Sequence, residues 1–184
     1  MIAVRAGLLL IAQPMLTDPN FARTVVYVVE RGPQGTVGLV LNRPSRAELL
    51  DRLPAWWTAA SQPRTFHVGG PCEGNTALCL GIGTPAADTP GLRAVAGEVY
   101  LVDLDADPEV AGARLRGLRV FAGYAGWSAG QLEEELAAQA WVVVPSLAAD
   151  VVTEDSGGLW RAVLRRQGGS LGMLAAWTAD PRLN

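Results

Sequence analysis

A chain of 184 residues suits one compact domain, taken here as residues 1–184, and a chain of this size buries on the order of two-thirds of its unfolded surface without a disulfide or metal staple. An apolar fraction of 49% against 18% charged residues excludes a disordered chain. The net charge is -3, and the fifteen basic residues are all Arg and scattered, which disfavours direct nucleic-acid binding, since such a face needs clustered basic residues.

The chain opens with Arg5 and an apolar run, Ala6 to Ala12, that superficially looks like a signal peptide. The run is at the short end for such a segment, Gln13-Pro14 replaces a small-residue cleavage site, and a membrane span needs ~20 apolar residues. A first strand over Gly7–Gln13 in a cytoplasmic protein is therefore expected. Further strands are expected over Thr24–Glu30 and Thr36–Asn42, bounded by Thr17-Asp18-Pro19-Asn20 and Gly32-Pro33-Gln34-Gly35. The short Gly-Pro-Gln-Gly link predicts an antiparallel hairpin, and the continuous apolar runs predict strands buried on both faces. Pro44 followed by Ser45-Arg46-Ala47-Glu48 reads as a capping box, with Leu49, Leu50 and Leu53 as the apolar face of a helix. Strands are then expected at Thr65–Gly69, Ala77–Ile82 and Val99–Leu104. A helix capped by Asp107 with Pro108 in its first turn should run to about Gly117.

Strands at Leu118–Gly123 and Trp141–Val144 flank an expected helix at Gln131–Gln139, which places Leu132, Leu136 and Ala140 on one side. A last helix carries the pairs Leu159/Val163 and Trp160/Leu164 and stops at Gly168-Gly169. Several strands with helices inserted between them, and no regular βαβ alternation, indicate an α+β fold.

Chemistry-bearing motifs are few. Gly126-Trp127-Ser128-Ala129-Gly130 matches the nucleophile elbow of serine hydrolases, but the single His, His67, lies upstream and no other residue supplies a neutral-pH base. Ser128 with Gln131 reads instead as an S-x-x-Q helix cap. Asp103, Asp105 and Asp107 begin like a calcium loop, but Pro108 stands where Gly is needed and Arg114 where a bidentate Glu is needed. Cys72 and Cys79 fall short of a four-ligand zinc set and are expected to be free thiols. Gly69-Gly70-Pro71 lacks the spacing and Lys of a phosphate loop and reads as a bend. No metal or cofactor is expected.

Asn42 and Arg43 close a buried strand, where a guanidinium fork could meet a carboxylate or phosphate. Tyr124 and Trp127 stand among glycines and could wall a groove, with core packing as the competing reading. The expected ligand- or partner-binding surface combines Asn42, Arg43, Gly69, Gly70, Tyr124, Trp127 and Gln131, junction positions at which function tends to lie.

Four stretches carry a family resemblance along nearly the whole chain: Gly7–Glu30 leading into LVLNRP (Leu39–Pro44), VGGP (Val68–Pro71), GYAGWSAGQLEEEL (Gly123–Leu136) and ADPRLN (Ala179–Asn184). They resemble the bacterial YqgE/AlgH family, which has a recognisable fold and no settled biochemical activity. The family pattern commonly has Gly where this chain has Ser128, which further weakens a catalytic role for that serine. The resemblance implies a single α+β domain whose mixed, mostly antiparallel, barrel-like sheet has helices inserted around it. Some family members are labelled transcriptional regulators, but this chain has no helix-turn-helix pattern and no basic face. The resulting expectation is a non-enzymatic cytoplasmic regulatory or binding protein acting through a protein partner or a small ligand. The alternatives are an enzyme using His67, Asp18 or Glu133 as base and, behind it, a direct DNA-binding regulator.

Overall fold

The computed structural model describes residues 3–177, so the ADPRLN stretch lies outside the described residues. Ten strands form one sheet: β1 (Leu8–Ala12), β2 (Val25–Gly32), β3 (Gly35–Val40), β4 (Pro44–Glu48), β5 (Thr65–Val68), β6 (Cys72–Gly83), β7 (Leu92–Ala96), β8 (Val99–Val102), β9 (Leu115–Ser128) and β10 (Trp141–Pro145). The order is β10-β1-β2-β3-β9-β6-β8-β7, with β5 beside β9 and β4 beside β5. Every pairing of these strands is antiparallel except β5 with β9. Five short helices complete the fold: α1 (Pro108–Ala111), α2 (Gln131–Ala137), α3 (Ala148–Val151), α4 (Leu159–Gln167) and α5 (Gly169–Leu174). This is the single-domain α+β architecture expected, with the sheet curled into a half-barrel.

The curl sorts the apolar residues into three clusters. Inside the half-barrel, Leu9, Tyr27, Leu39, Leu80, Val99 and Phe121 meet, and Trp160, Val163 and Leu164 of α4 plug the open side. On the outer face of one half, Leu10, Val26, Val40, Trp127 and Trp141 pack under Leu132 of α2. On the outer face of the other half, Leu118, Val120, Cys79 and Phe66 are covered by Leu49, Trp56 and Ala111. Strands with both faces covered explain the unbroken apolar runs, and β1 is buried throughout. Each fully buried large apolar side chain contributes about 1.5–3 kcal/mol, so α4 is held mainly by its four buried residues.

The hairpin forms as the Gly-Pro-Gln-Gly link predicts, with Gly32 opposite Gly35. Asp107 caps α1, accepting from the Glu109 N–H at 2.9 Å. Three expectations give way to pairing. Pro44–Glu48 is an edge strand instead of a helix start: the Ser45 hydroxyl accepts from Ala47 N–H, and Pro44 and Glu48 pair with His67 and Thr65. Leu49 enters the outer cluster while Leu50 stays exposed, so the run of Leu does not form a helical stripe. The helix after Asp107 leaves α geometry after one turn, continues as a 3-10 turn over Gly112–Arg114 and yields to β9 at Leu115, because Leu115, Gly117 and Leu118 are ladder partners of β6. Strand β7, absent from the sequence reading, pairs with β8 through a segment with little apolar signal.

Candidate functional site

Strand β9 decides where polar groups can lie. Its outward residues Leu118 and Val120 alternate with inward Phe121, but beyond Gly123 the outward residues are Ala125 and Trp127 and the inward one is Tyr124. The alternation slips by one residue at Gly123, whose φ of +72° is open to glycine and costly for other residues. The chain leaving β5 crosses over β9 at this point. A Cβ on Gly69 would run into the Gly123 carbonyl, one on Gly70 into the backbone of Tyr124, and one on Gly123 would sit 2.7 Å from the Cys72 carbonyl oxygen. Gly69 also ties two strands together, donating to Ala122 O at 2.9 Å and accepting from Val40 N at 2.8 Å. The two glycines are therefore the crossing itself, and Pro71 leads the chain into β6.

On the inner face before this crossing, His67 is fully buried, with Nδ1 3.3 Å from Thr65 O and Nε2 3.2 Å from the Ser156 hydroxyl. Burial, reinforced by the Arg119 charge, pushes its imidazole down to about 4, so the ring is neutral at physiological pH. Arg119, itself 1% exposed, faces no carboxylate within salt-bridge distance among the described residues. Its guanidinium donates to Thr153 O at 2.7 Å and Gln62 O at 2.6 Å. Burial lowers it to about 10, leaving it charged. This pair was missed by sequence reasoning for Arg119 and Ser156. The available signal was an Arg inside the apolar run Leu118–Phe121, which a strand buried on both faces must satisfy internally.

The inner face after the crossing is open. A shallow groove of about 450 Å³ runs between the β2–β3 hairpin and β9, lined by Pro33, Gln34, Val37, Cys72, Tyr124 and Gly126 among others. Gly126 forms bare floor: a Cβ there would lie 3.4 Å from the Tyr124 ring and 3.8 Å from Cys72 Sγ. The Glu73 carboxylate pushes the half-buried Tyr124 phenol upward.

Of the other expected surface residues, Trp127 alone also lines this groove, and the polar groups of Asn42, Arg43, Trp127 and Gln131 are all engaged. Asn42 accepts from Val25 N and donates to Arg23 O, both at 2.9 Å, pinning the end of β3 to the start of β2. Arg43 donates to Pro19 O at 2.7 Å and Ala22 O at 3.1 Å, closing the preceding turn. Trp127 points outward, stacked on Phe21 and edge-on to Trp141, so only its strand position borders the groove that Tyr124 faces. The indoles of Trp127 and Trp141 both donate to Glu135, at 2.9 and 2.7 Å. Gln131 accepts from the Ser128 N–H and hydroxyl at 3.1 and 3.3 Å. That is the Gln half of the expected cap, while the residue in the N-cap position is Gly130, so the Ser128 hydroxyl bonds a side chain in place of a helix N–H.

The candidate bases are not poised. His67 is sealed in the core, and Asp18 is exposed and accepts from Asn20 N–H. Glu133 borders a small cleft of about 230 Å³, but its hydrogen bond from Arg31 holds its carboxyl below the usual range, making it a weaker base. Cys72 is half-buried and Cys79 buried, both free thiols, and burial pushes the Cys79 thiol up. Among the described residues there is no cluster of three metal-ligating side chains, and no helix is long and apolar enough to cross a membrane.

The model of a family described as AlgH-like matches residues 9–172, nearly the whole of this fold. The chain belongs to the AlgH-like family. A UPF0301 protein of Mycobacterium tuberculosis is 47% identical over 180 residues, covering 96% of this chain and 89% of the relative, and one of Mycobacterium avium is 46% identical over the same length. Among solved structures, the crystal structure of protein DIP2367 from Corynebacterium diphtheriae superposes with a TM-score of 0.91 at 31% identity, covering 96% of this chain and 94% of that one. The solution structure of the AlgH protein from Pseudomonas aeruginosa gives 0.69 at 31% identity, covering 98% and 100%. The fold is thus shared with these structures over most of the chain.

Proposed function

We propose that this AlgH-like chain is a non-enzymatic, cytoplasmic binding or regulatory protein, acting through a protein partner or a small ligand held in the groove between the β2–β3 hairpin and the second half of β9. The observation that carries the reading is the glycine floor at Gly126, flanked by the Tyr124 ring and the Cys72 thiol, on an inner face that the core leaves open. A bare backbone beside an aromatic ring accepts a flat or extended group with little steric cost. Of the seven junction residues, Tyr124 makes the contact, Gly69 and Gly70 set the crossing beside it, Trp127 and Gln131 anchor the end of β9, and Asn42 and Arg43 lie outside the groove. The absence of a poised base beside the groove favours binding over turnover.

The test is photo-crosslinking in the native cell from position 34 at the hairpin tip, with and without Tyr124→Ala. A discrete adduct lost in Tyr124→Ala supports the reading, because Tyr124 is half-buried and its truncation leaves the β9 ladder intact. An adduct of equal yield in both proteins, or none in either, overturns this groove as the site.

A further inference from the structure

A second groove lies on the opposite, outer face of the sheet, on the far side of the Gly123 crossing. It exists because β6 loses its partner strand for four residues: Cys72 pairs with Tyr124, yet the next pair is Ala77 with Ala122, so Glu73–Thr76 bulge away from β9. The bulge forms one wall. The segment from β4 to the turn after it forms the other, through Ala47, Arg52 and Leu53. Phe66, Ala77 and Ala122 make an apolar floor, and small side chains on three sides leave a volume of about 580 Å³, within the ordinary range of small-molecule sites.

Arg52 is the single charged residue lining this groove, and among the described residues no carboxylate lies within 4 Å of its guanidinium. The remaining polar rim, Ser45, Asn75 and Thr76, is neutral. We infer that this groove binds a small amphipathic carboxylate, its apolar body on Phe66 and its carboxylate on Arg52. The fork of a guanidinium matches a carboxylate with two parallel hydrogen bonds, while the alanine floor gives room for an aliphatic or aryl body. An organic cation or a neutral apolar molecule would leave Arg52 unmatched.

The site is independent of the groove at Tyr124, and the experiment separates the two. Octanoate is titrated into the full chain labelled with nitrogen-15, following amide shifts. Saturable shifts confined to Ala47, Leu53, Phe66, Asn75, Ala77 and Ala122 are expected, with Arg52→Gln weakening the affinity about five- to tenfold. Ala47→Trp, at an exposed edge position that tolerates a large side chain, should abolish the shifts with the fold intact, and Tyr124→Ala should leave them unchanged. Octylammonium should bind far more weakly. No shifts in the millimolar range, shifts centred on Tyr124, an unchanged affinity in Arg52→Gln, or equal binding of octylammonium would each overturn the assignment.

Discussion

The two halves of β9 belong to one continuous strand and do opposite things. From Leu115 to Ala122 the strand has β5 on one side and β6 on the other, and its inward side chains are sealed under α3 and α4. From Gly123 to Ser128 it is joined to β3, and its inward side faces the open groove. The first half holds a charge in the core, on Arg119, and its inward side offers nothing to solvent. The second half holds no buried charge and offers Tyr124 and Gly126, beside the Cys72 thiol of β6. The Gly123 slip thus divides the strand into a part whose inward side is sealed and a part whose inward side is open.

The largest effect should come from destroying the crossing that separates the halves. Gly70 has φ +154° and its Cβ would enter the Tyr124 backbone, so Gly70→Ala should destabilise the fold by about 4 kcal/mol or more, read as a shifted urea midpoint. Next is Arg119→Met, which orphans the carbonyls of Gln62 and Thr153. A loss of about 3 kcal/mol is expected by the same measurement, because two hydrogen bonds from a charged donor, each worth roughly 1.5–3 kcal/mol, are removed.

His67 supplies a pH signature confined to the sealed half. Its folded value of about 4 lies below the ordinary 6.5, so between these values the unfolded chain binds a proton that the native chain refuses. The stabilisation is complete above about pH 6.5, falls progressively toward pH 4 and levels below it, a total of about 3 kcal/mol. In His67→Gln that slope should vanish from a plot of stability against pH. A slope that persists would mean another group titrates there.

In the open half, Glu135→Leu removes the acceptor of two indole N–H groups and should cost about 2 kcal/mol, with a change in tryptophan fluorescence. The smallest effect sharpens the contrast most. Gly126→Ala meets only the movable Tyr124 ring and the thiol at 3.4 and 3.8 Å, so its stability should change by less than about 1 kcal/mol while groove occupancy falls. A loss as large as that of Gly70→Ala would mean that the two halves are one cooperative packing unit.

Much of this was legible from residue pattern. The apolar runs located β1, β2, β3, β5, β8 and β10, and the i,i+4 pairs located α4, since those signals arise from burial of a regular face. β4 escaped because Pro44–Glu48 has no apolar alternation, and a strand at a sheet edge is specified by its partner more than by itself. α1 was overlong because Gly112 and Gly117 weaken a helix that the β6 ladder then outcompetes. Of the candidate site, the Gly-flanked aromatics singled out β9, but not which face each of them takes. Tyr124 and Trp127 differ by three positions, and two side chains at that spacing share no face of a strand, so only a bent or irregular reading could have put both in one groove. Arg43 shows the same limit, since its fork finds backbone carbonyls of a turn that sequence cannot place beside it.

Arg119 joins parts of the chain that are remote in sequence, Gln62 before β5 and Val151–Thr153 at the end of α3. Lifting the C-terminal helices off the half-barrel would strand its charge in an apolar wall. Local opening of that region should therefore cost nearly as much as unravelling the whole domain, with α3 and the core of β9 exchanging their amide hydrogens together.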